Sequence, residues 1–73
     1  MEEHVMVHKA NSIAQFFASY TRDEAIEGVM NHIRLYWEPR MRRQIIEYVA
    51  DGGHGLHEYA LEAVKRLAPV APR

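Results

Sequence analysis

Histidines are the first candidates for chemistry in this chain, because imidazole can bind metal ions and exchange protons. The sequence has five histidines and no cysteine. His4 and His8 lie one helical turn apart, a spacing that zinc sites use, but no glutamate accompanies them in an HExxH pattern. His54 and His57 flank a glycine, and His32 is expected to be a hydrogen-bonding group within a helix. The sequence therefore predicts no metal site and no cofactor bound by this chain.

The carboxylates give no better case for catalysis. They lie at the starts of predicted helices or at the spacing of helical salt bridges, as Glu62 and Arg66 do. No glycine-rich phosphate loop follows a strand pattern, and so short a chain leaves little room for a substrate cavity. We therefore predict that the chain is not an enzyme and has no catalytic residues.

The stretch from Trp37 to Arg43 holds the densest group of residues suited to binding a partner. Pro39 can begin a helix but disfavours helical geometry in the residue before it, so the chain must bend here. This bend brings the only tryptophan together with Arg40 and Arg42, residue types that dominate protein interfaces. The alternative is a helix-turn-helix that binds DNA, but a net charge of −1 argues against nucleic acid.

Hydrophobic periodicity predicts an all-α fold of four short helices in one domain, residues 1–73. Residues 21–24 match a capping box at the start of the second helix, which ends at the bend. The third helix is predicted over residues 39–50 and the fourth over about residues 56–67. Between them, residues 52–55 are predicted to form a flexible glycine-rich connector, and residues 67–73 an extended tail.

The first helix, predicted over about residues 3–20, is expected to be buried on two sides. Its predicted core stripe consists of Met6, Ala10, Ile13, Phe17 and Tyr20. Small apolar residues form a flank about 100° away on a helical projection, namely Val7, Ala14 and Ala18. Helices with two apolar sides also suit self-association, so the isolated chain could pair with a second copy.

The second helix carries an unusual outer face, on which Gly28, His32 and Leu35 align at steps of four and three. Glycine inside a helix costs about 0.8–1 kcal/mol relative to alanine, so Gly28 predicts the close approach of another backbone. Arg42 is expected either to pair locally, for instance with Glu38, or to meet an acceptor on a partner. The predicted partner-binding residues are Gly28, His32, Leu35, Trp37, Pro39, Arg40, Arg42 and Arg43.

The N-terminus predicts a soluble cytoplasmic protein. Glu2 and Glu3 stand where a secretory signal would carry positive charge, and no apolar run approaches the length that spans a membrane.

Several segments together resemble the delta subunits of NAD-dependent, molybdenum- or tungsten-containing formate dehydrogenases. The resemblance covers about residues 6–67, and the block from Trp37 to Arg42 with the later glycines is its most specific part. The residues that carry it are Ala10-Asn11, Ile13, Phe16-Phe17, Glu24-Ala25-Ile26-Glu27-Gly28, His32, Trp37-Glu38-Pro39-Arg40-Met41-Arg42, Gly52-Gly53, Gly55 and Leu56. One departure follows Leu56, where such proteins often have a capping Ser or Asp and a proline, and this chain has His57-Glu58.

The resemblance implies an accessory polypeptide of a large soluble enzyme. Its alpha subunit would hold the pterin metal cofactor and iron–sulfur clusters, and its beta and gamma subunits would carry flavin and further clusters. Such delta subunits are associated with assembly or stability of the complex and carry no redox centre. The implied role is to dock on the alpha subunit, with a transient chaperone for cofactor insertion as the alternative.

Overall fold

The chain folds into four α-helices, as a computed structural model that describes residues 2–67 shows. The helices are α1 (Glu3–Phe16), α2 (Arg22–Tyr36), α3 (Pro39–Ala50) and α4 (Glu58–Leu67). No strand occurs in the described part, so the all-α prediction is confirmed. The predicted tail beyond Leu67 lies outside the described residues, whereas Leu67 itself is buried as the last residue of α4.

Local signals set the boundaries of α2 and α3 where the sequence predicted them. The Thr21 hydroxyl accepts a hydrogen bond from the Glu24 N–H at 3.3 Å, and the Glu24 carboxylate accepts one from the Thr21 N–H at 3.4 Å. This arrangement confirms the capping box. At the next boundary, Pro39 occupies the first turn of α3, where its missing N–H leaves no intrahelical bond unmade.

Helix α1 is shorter than predicted and buries only part of the predicted stripe. It ends at Phe16 instead of Tyr20, and Tyr20 is 51% exposed. The residues of α1 that are fully buried are Met6, Ala10 and Ala14. The assignment of Tyr20 to the core is wrong because α1 ends before it. The assignment of Ala14 to a flank is also wrong, because this small side chain lets α1 pack closely on its neighbours in the core.

All four helices contribute to one hydrophobic core. Helix α2 makes its most extensive contacts with α4, and α1 and α3 both pack against α4. Ile13 and Phe17 of α1 are partly buried at the edge of this core. The buried core residues are Met6, Ala10, Ala14, Ile26, Val29, Ile33, Trp37, Ile45, Ala60, Ala63, Val64 and Leu67.

The connector between α3 and α4 is held by hydrogen bonds, contrary to the expectation of a flexible loop. The Gly52 and Gly53 N–H groups bond to the carbonyls of Val49 and Tyr48, which is the Schellman pattern. Gly53 has a φ of +63°, and a Cβ there would lie 2.5 Å from the Leu61 side chain. Only glycine fits this position without strain.

Asn11 of α1 ties the same connector to the rest of the fold. Its amide nitrogen donates to the Gly55 carbonyl at 2.9 Å, and its amide oxygen accepts from the His57 N–H at 2.8 Å. The Tyr48 hydroxyl donates a further hydrogen bond to the His54 carbonyl. One side chain thus satisfies a donor and an acceptor of a loop that lies more than forty residues away.

Helix α4 begins at Glu58, two residues later than predicted, and His57 caps it. The Nδ1 atom of His57 accepts a hydrogen bond from the Tyr59 N–H at 3.0 Å. A histidine ring nitrogen therefore takes the capping role that a Ser or Asp side chain commonly has.

Candidate partner-docking surfaces

The corner between α2 and α3 is built around Trp37. Trp37 and Glu38 both have extended backbone angles, so two residues separate the helices. The Trp37 side chain is only 7% exposed and belongs to the core. The tryptophan therefore fixes the bend from the inside, and little of its surface remains for a partner.

Arg42 secures the same corner from α3. Its guanidinium group donates hydrogen bonds to the carbonyls of Arg34, at 3.3 Å, and Trp37. These carbonyls belong to the end of α2, where backbone acceptors lack intrahelical partners and the helix dipole is negative. The side chain thus pairs locally, as one of the two expectations had it, but with backbone carbonyls and not with Glu38.

The other predicted residues of the corner face solvent. Pro39, Arg40 and Arg43 are all exposed. Within residues 2–67, Arg40 and Arg43 have no hydrogen-bond or ion-pair partner. Two guanidinium groups therefore stand free for a partner, while the third holds the fold together.

Gly28 faces an aromatic ring of its own chain and not another backbone. A Cβ at position 28 would lie 2.7 Å from two ring carbons of Phe17, closer than any real side chain tolerates. Phe17 follows the end of α1, so the glycine lets the end of α1 rest on α2. A close approach to Gly28 is present as expected, but the approaching group is the Phe17 side chain and not a backbone.

Around Gly28, the end of α1 and the outer side of α2 form an aromatic face. The face consists of Ile13, Phe16, Phe17, Tyr20, His32, Leu35 and Tyr36. The Phe17 ring lies 5.0 Å from that of Phe16 and 5.6 Å from that of Tyr20, and the His32 and Tyr36 rings are 4.9 Å apart. A depression of about 300 Å³ lined by Phe16, Phe17 and His32, among others, joins the two groups of rings.

The aromatic face contains every large hydrophobic side chain that is mainly exposed in the described part. Phe16 is 72% exposed, Leu35 64% and Tyr36 74%. His32 and Leu35 are among the predicted partner-binding residues, whereas Phe16 and Tyr36 are not. The adjacent pair Phe16-Phe17 was the available signal, because neighbouring side chains on a helix point about 100° apart, so the two rings face in different directions.

Carboxylates border the aromatic face at the start of α2. Asp23, Glu24 and Glu27 line a second depression, of about 330 Å³, together with Gly28. Exposed apolar surface and negative charge therefore lie side by side. A complementary partner surface would combine apolar with basic side chains.

The histidines do not come together as a metal site. His57 is occupied as a helix cap, and His4 lies 3.7 Å from the Glu2 carboxylate on the surface. Among residues 2–67, no three His, Asp or Glu side chains are placed to hold a metal ion together. No helix within the same residues is long and apolar enough to cross a membrane.

Residues 6–64 match the family model described as "NADH-dependant formate dehydrogenase delta subunit FdsD". The chain belongs to the FdsD family. The match begins in α1 and ends in α4, so both the aromatic face and the corner of this FdsD-family chain lie within it. Searches of the curated proteins and of the solved structures gave no significant match.

Proposed function

We propose that this chain is the non-catalytic accessory (delta) subunit of a soluble NAD-dependent formate dehydrogenase. It docks on the catalytic alpha subunit, within a complex that also contains beta and gamma subunits, and supports the stability or assembly of that complex. It carries no redox cofactor of its own. The observation that carries the proposal is the exposed aromatic face on a chain of the FdsD family.

The aromatic face has the composition of an interface. Contiguous exposed apolar surface is uncommon on monomers, and aromatic residues are enriched where proteins meet. Burying a side chain such as Phe16 or Leu35 contributes about 1.5–3 kcal/mol before the costs of association. Three or four such side chains would contribute about 4.5–12 kcal/mol, which is comparable to the cost of association.

The corner provides the polar part of the proposed contact. Arg40 and Arg43 are exposed beside Pro39, and their planar guanidinium groups can bind carboxylates through two hydrogen bonds at once. Trp37 and Arg42 contribute indirectly, because they fix the angle at which α3 presents these side chains.

Co-purification with the alpha subunit tests this surface. Leu35→Lys and Tyr36→Lys change exposed residues in the last turn of α2, where the helix dipole favours positive charge, so the isolated chain should keep its helical circular dichroism and melting temperature. We expect either change to lower the amount of this chain retained by a tagged alpha subunit by about tenfold or more. Glu47→Lys is the control, because Glu47 is exposed on α3 and faces away from the aromatic face. Full retention of both folded variants would refute the proposed surface.

Stoichiometry separates a permanent subunit from a chaperone that leaves after cofactor insertion. We expect one copy of this chain for each alpha subunit in the purified active enzyme. If the chain bound only alpha subunits that lack their cofactor, the chaperone role would replace the subunit role.

A further inference from the structure

A second apolar surface lies between α3 and α4, away from the aromatic face. Ile46, Val49 and Ala50 of α3 and Val64 and Lys65 of α4 line a groove of about 300 Å³, called here the α3–α4 groove. Its lining is aliphatic except for Lys65. We propose that the α3–α4 groove binds an acidic amphipathic helix of a partner protein.

The charges around the α3–α4 groove favour an acidic occupant. Lys65 lies in the groove itself, and no carboxylate is among the residues that line it in the described part of the chain. Arg43 lies seven residues before Ala50, about 20° from it around the helix axis, so it continues the same side of α3. Neither Lys65 nor Arg43 has a hydrogen-bond or ion-pair partner among residues 2–67.

The carboxylates of α3 are turned away from the groove. Glu47 and Asp51 line a separate depression together with Glu3 of α1. On α4, Glu62 lies 3.8 Å from Arg66, which also reaches Asp23 of α2 at 4.0 Å. The one charged side chain among the residues that line the α3–α4 groove is therefore positive, even though the chain as a whole has a net charge of −1.

The shape of the site favours a helix over an extended peptide. No strand is present in residues 2–67, so the described part offers no sheet edge to which a peptide strand could add. The space between two packed helices instead accepts the apolar ridge of a third helix. An occupant with aliphatic residues at helical spacing and flanking Asp or Glu would bury the groove and pair with Arg43 and Lys65.

A pair of synthetic peptides tests this inference on the full isolated chain. Both are helical over about four turns and carry the same leucine stripe, but one has glutamate on its flanks and the other lysine. Binding is followed by fluorescence anisotropy at low and high salt, and its location by amide chemical shifts. We expect the acidic peptide to bind about tenfold more tightly than the basic one. Its affinity should fall as the salt concentration rises, and its binding should shift the amide signals of residues 43–50 and 61–65.

Charge variants distinguish specific binding at the α3–α4 groove from nonspecific binding of the peptide. The double variant Arg43→Glu with Lys65→Glu should remove the preference for the acidic peptide, since it reverses the charge beside the groove. Lys9→Glu is the matched control, because Lys9 is exposed on α1 and no residue of α1 lines the groove, so it should leave binding unchanged. All three side chains lie on the surface, so the helical circular dichroism of each variant should match that of the original chain.

Every other result would overturn the proposal. Absence of binding, equal binding of both peptides, or shifts confined to the aromatic face would reject the groove as an acidic-helix site. Groove shifts that grow with protein concentration alone would assign it to a second copy of the chain. Groove shifts on deletion of residues 68–73 would assign it to the chain's own C-terminal segment. None of these results bears on whether the aromatic face binds the alpha subunit.

Discussion

The ring of Phe17 lies across Gly28, so close that a Cβ at position 28 would be 2.7 Å from its Cδ1 and Cε1 atoms. Helix α1 has ended just before Phe17, and Gly28 lies in the middle of α2. The missing side chain on α2 therefore determines where the end of α1 rests. This contact also fixes the position of Phe16 and Tyr20, whose rings pack against Phe17 on the aromatic face.

The contact between Phe17 and Gly28 predicts a change of sign in a double-mutant cycle. Alanine normally stabilises a helix interior by about 0.8–1 kcal/mol relative to glycine. Gly28→Ala should instead destabilise this chain by about 1 kcal/mol, because the Phe17 ring must move and overpacking costs about 1–3 kcal/mol. In a Phe17→Ala background, the same substitution should stabilise. Urea unfolding followed by circular dichroism measures all four variants, and one sign in both backgrounds would contradict the contact.

Removing the guanidinium group of Arg42 should lower the free energy of unfolding, whereas removing that of Arg43 should not. Arg42→Met keeps the aliphatic stem but removes the hydrogen bonds to the carbonyls of Arg34 and Trp37, with an expected loss of about 2 kcal/mol. Arg43→Met is the matched control on the same helix, and as an exposed change it should stay within about 0.5 kcal/mol. Thermal and urea unfolding compare the two. Equal stabilities would mean that Arg42 does not hold the corner.

Local signals were enough to predict much of the fold from the sequence. The capping box at Thr21, the proline that opens α3 and the glycines that close it act within a few residues, so the bounds of α3 agree with the structure. The four-helix pattern likewise followed from periodicity. Tertiary packing caused the misses, since periodicity continued α1 to Tyr20, whereas the helix ends at Phe16, leaves Tyr20 exposed and buries Ala14.

The candidate surfaces were harder to predict, because the residue types that form interfaces also form cores. Trp37 and Arg42 have the composition of a hot spot, yet the structure uses both to hold the corner of its own chain. The sequence shows that Gly28 needs a close neighbour but not that the neighbour is Phe17. The exposure of Phe16 and Tyr36 depends on where α1 ends and how it meets α2, which periodicity alone does not determine.

Asn11 should be one of the most sensitive polar residues outside the core. Asn11→Ala removes the donor to the Gly55 carbonyl and the acceptor from the His57 N–H, and we expect a loss of about 2 kcal/mol. Asn11→Asp retains only the acceptor, so its loss should be intermediate. Gln15→Ala, on the exposed side of α1, provides the control. Hydrogen exchange should also speed up at the His57 N–H in Asn11→Ala but not in Asn11→Asp, and unchanged protection in the alanine variant would argue against the bridge.

If His57 caps α4, the stability of the chain should depend on whether the side chain at position 57 carries a hydrogen-bond acceptor. His57→Ala removes the Nδ1 acceptor of the Tyr59 N–H and should destabilise the chain by about 1 kcal/mol. His57→Asp and His57→Ser restore a capping oxygen and should be at least as stable as the original, with Asp favoured by the helix dipole. His54→Ala is the control, because only the main-chain carbonyl of His54 accepts a hydrogen bond.

The His57 ring also lies 5.0 Å from that of Tyr59, so a ring contact could stabilise the chain instead of the cap. If the cap is what matters, His57→Ser must have a higher free energy of unfolding in urea than His57→Ala. If His57→Ser and His57→Ala lost the same stability, His57 would stabilise the chain through its ring contact with Tyr59 and not as a cap.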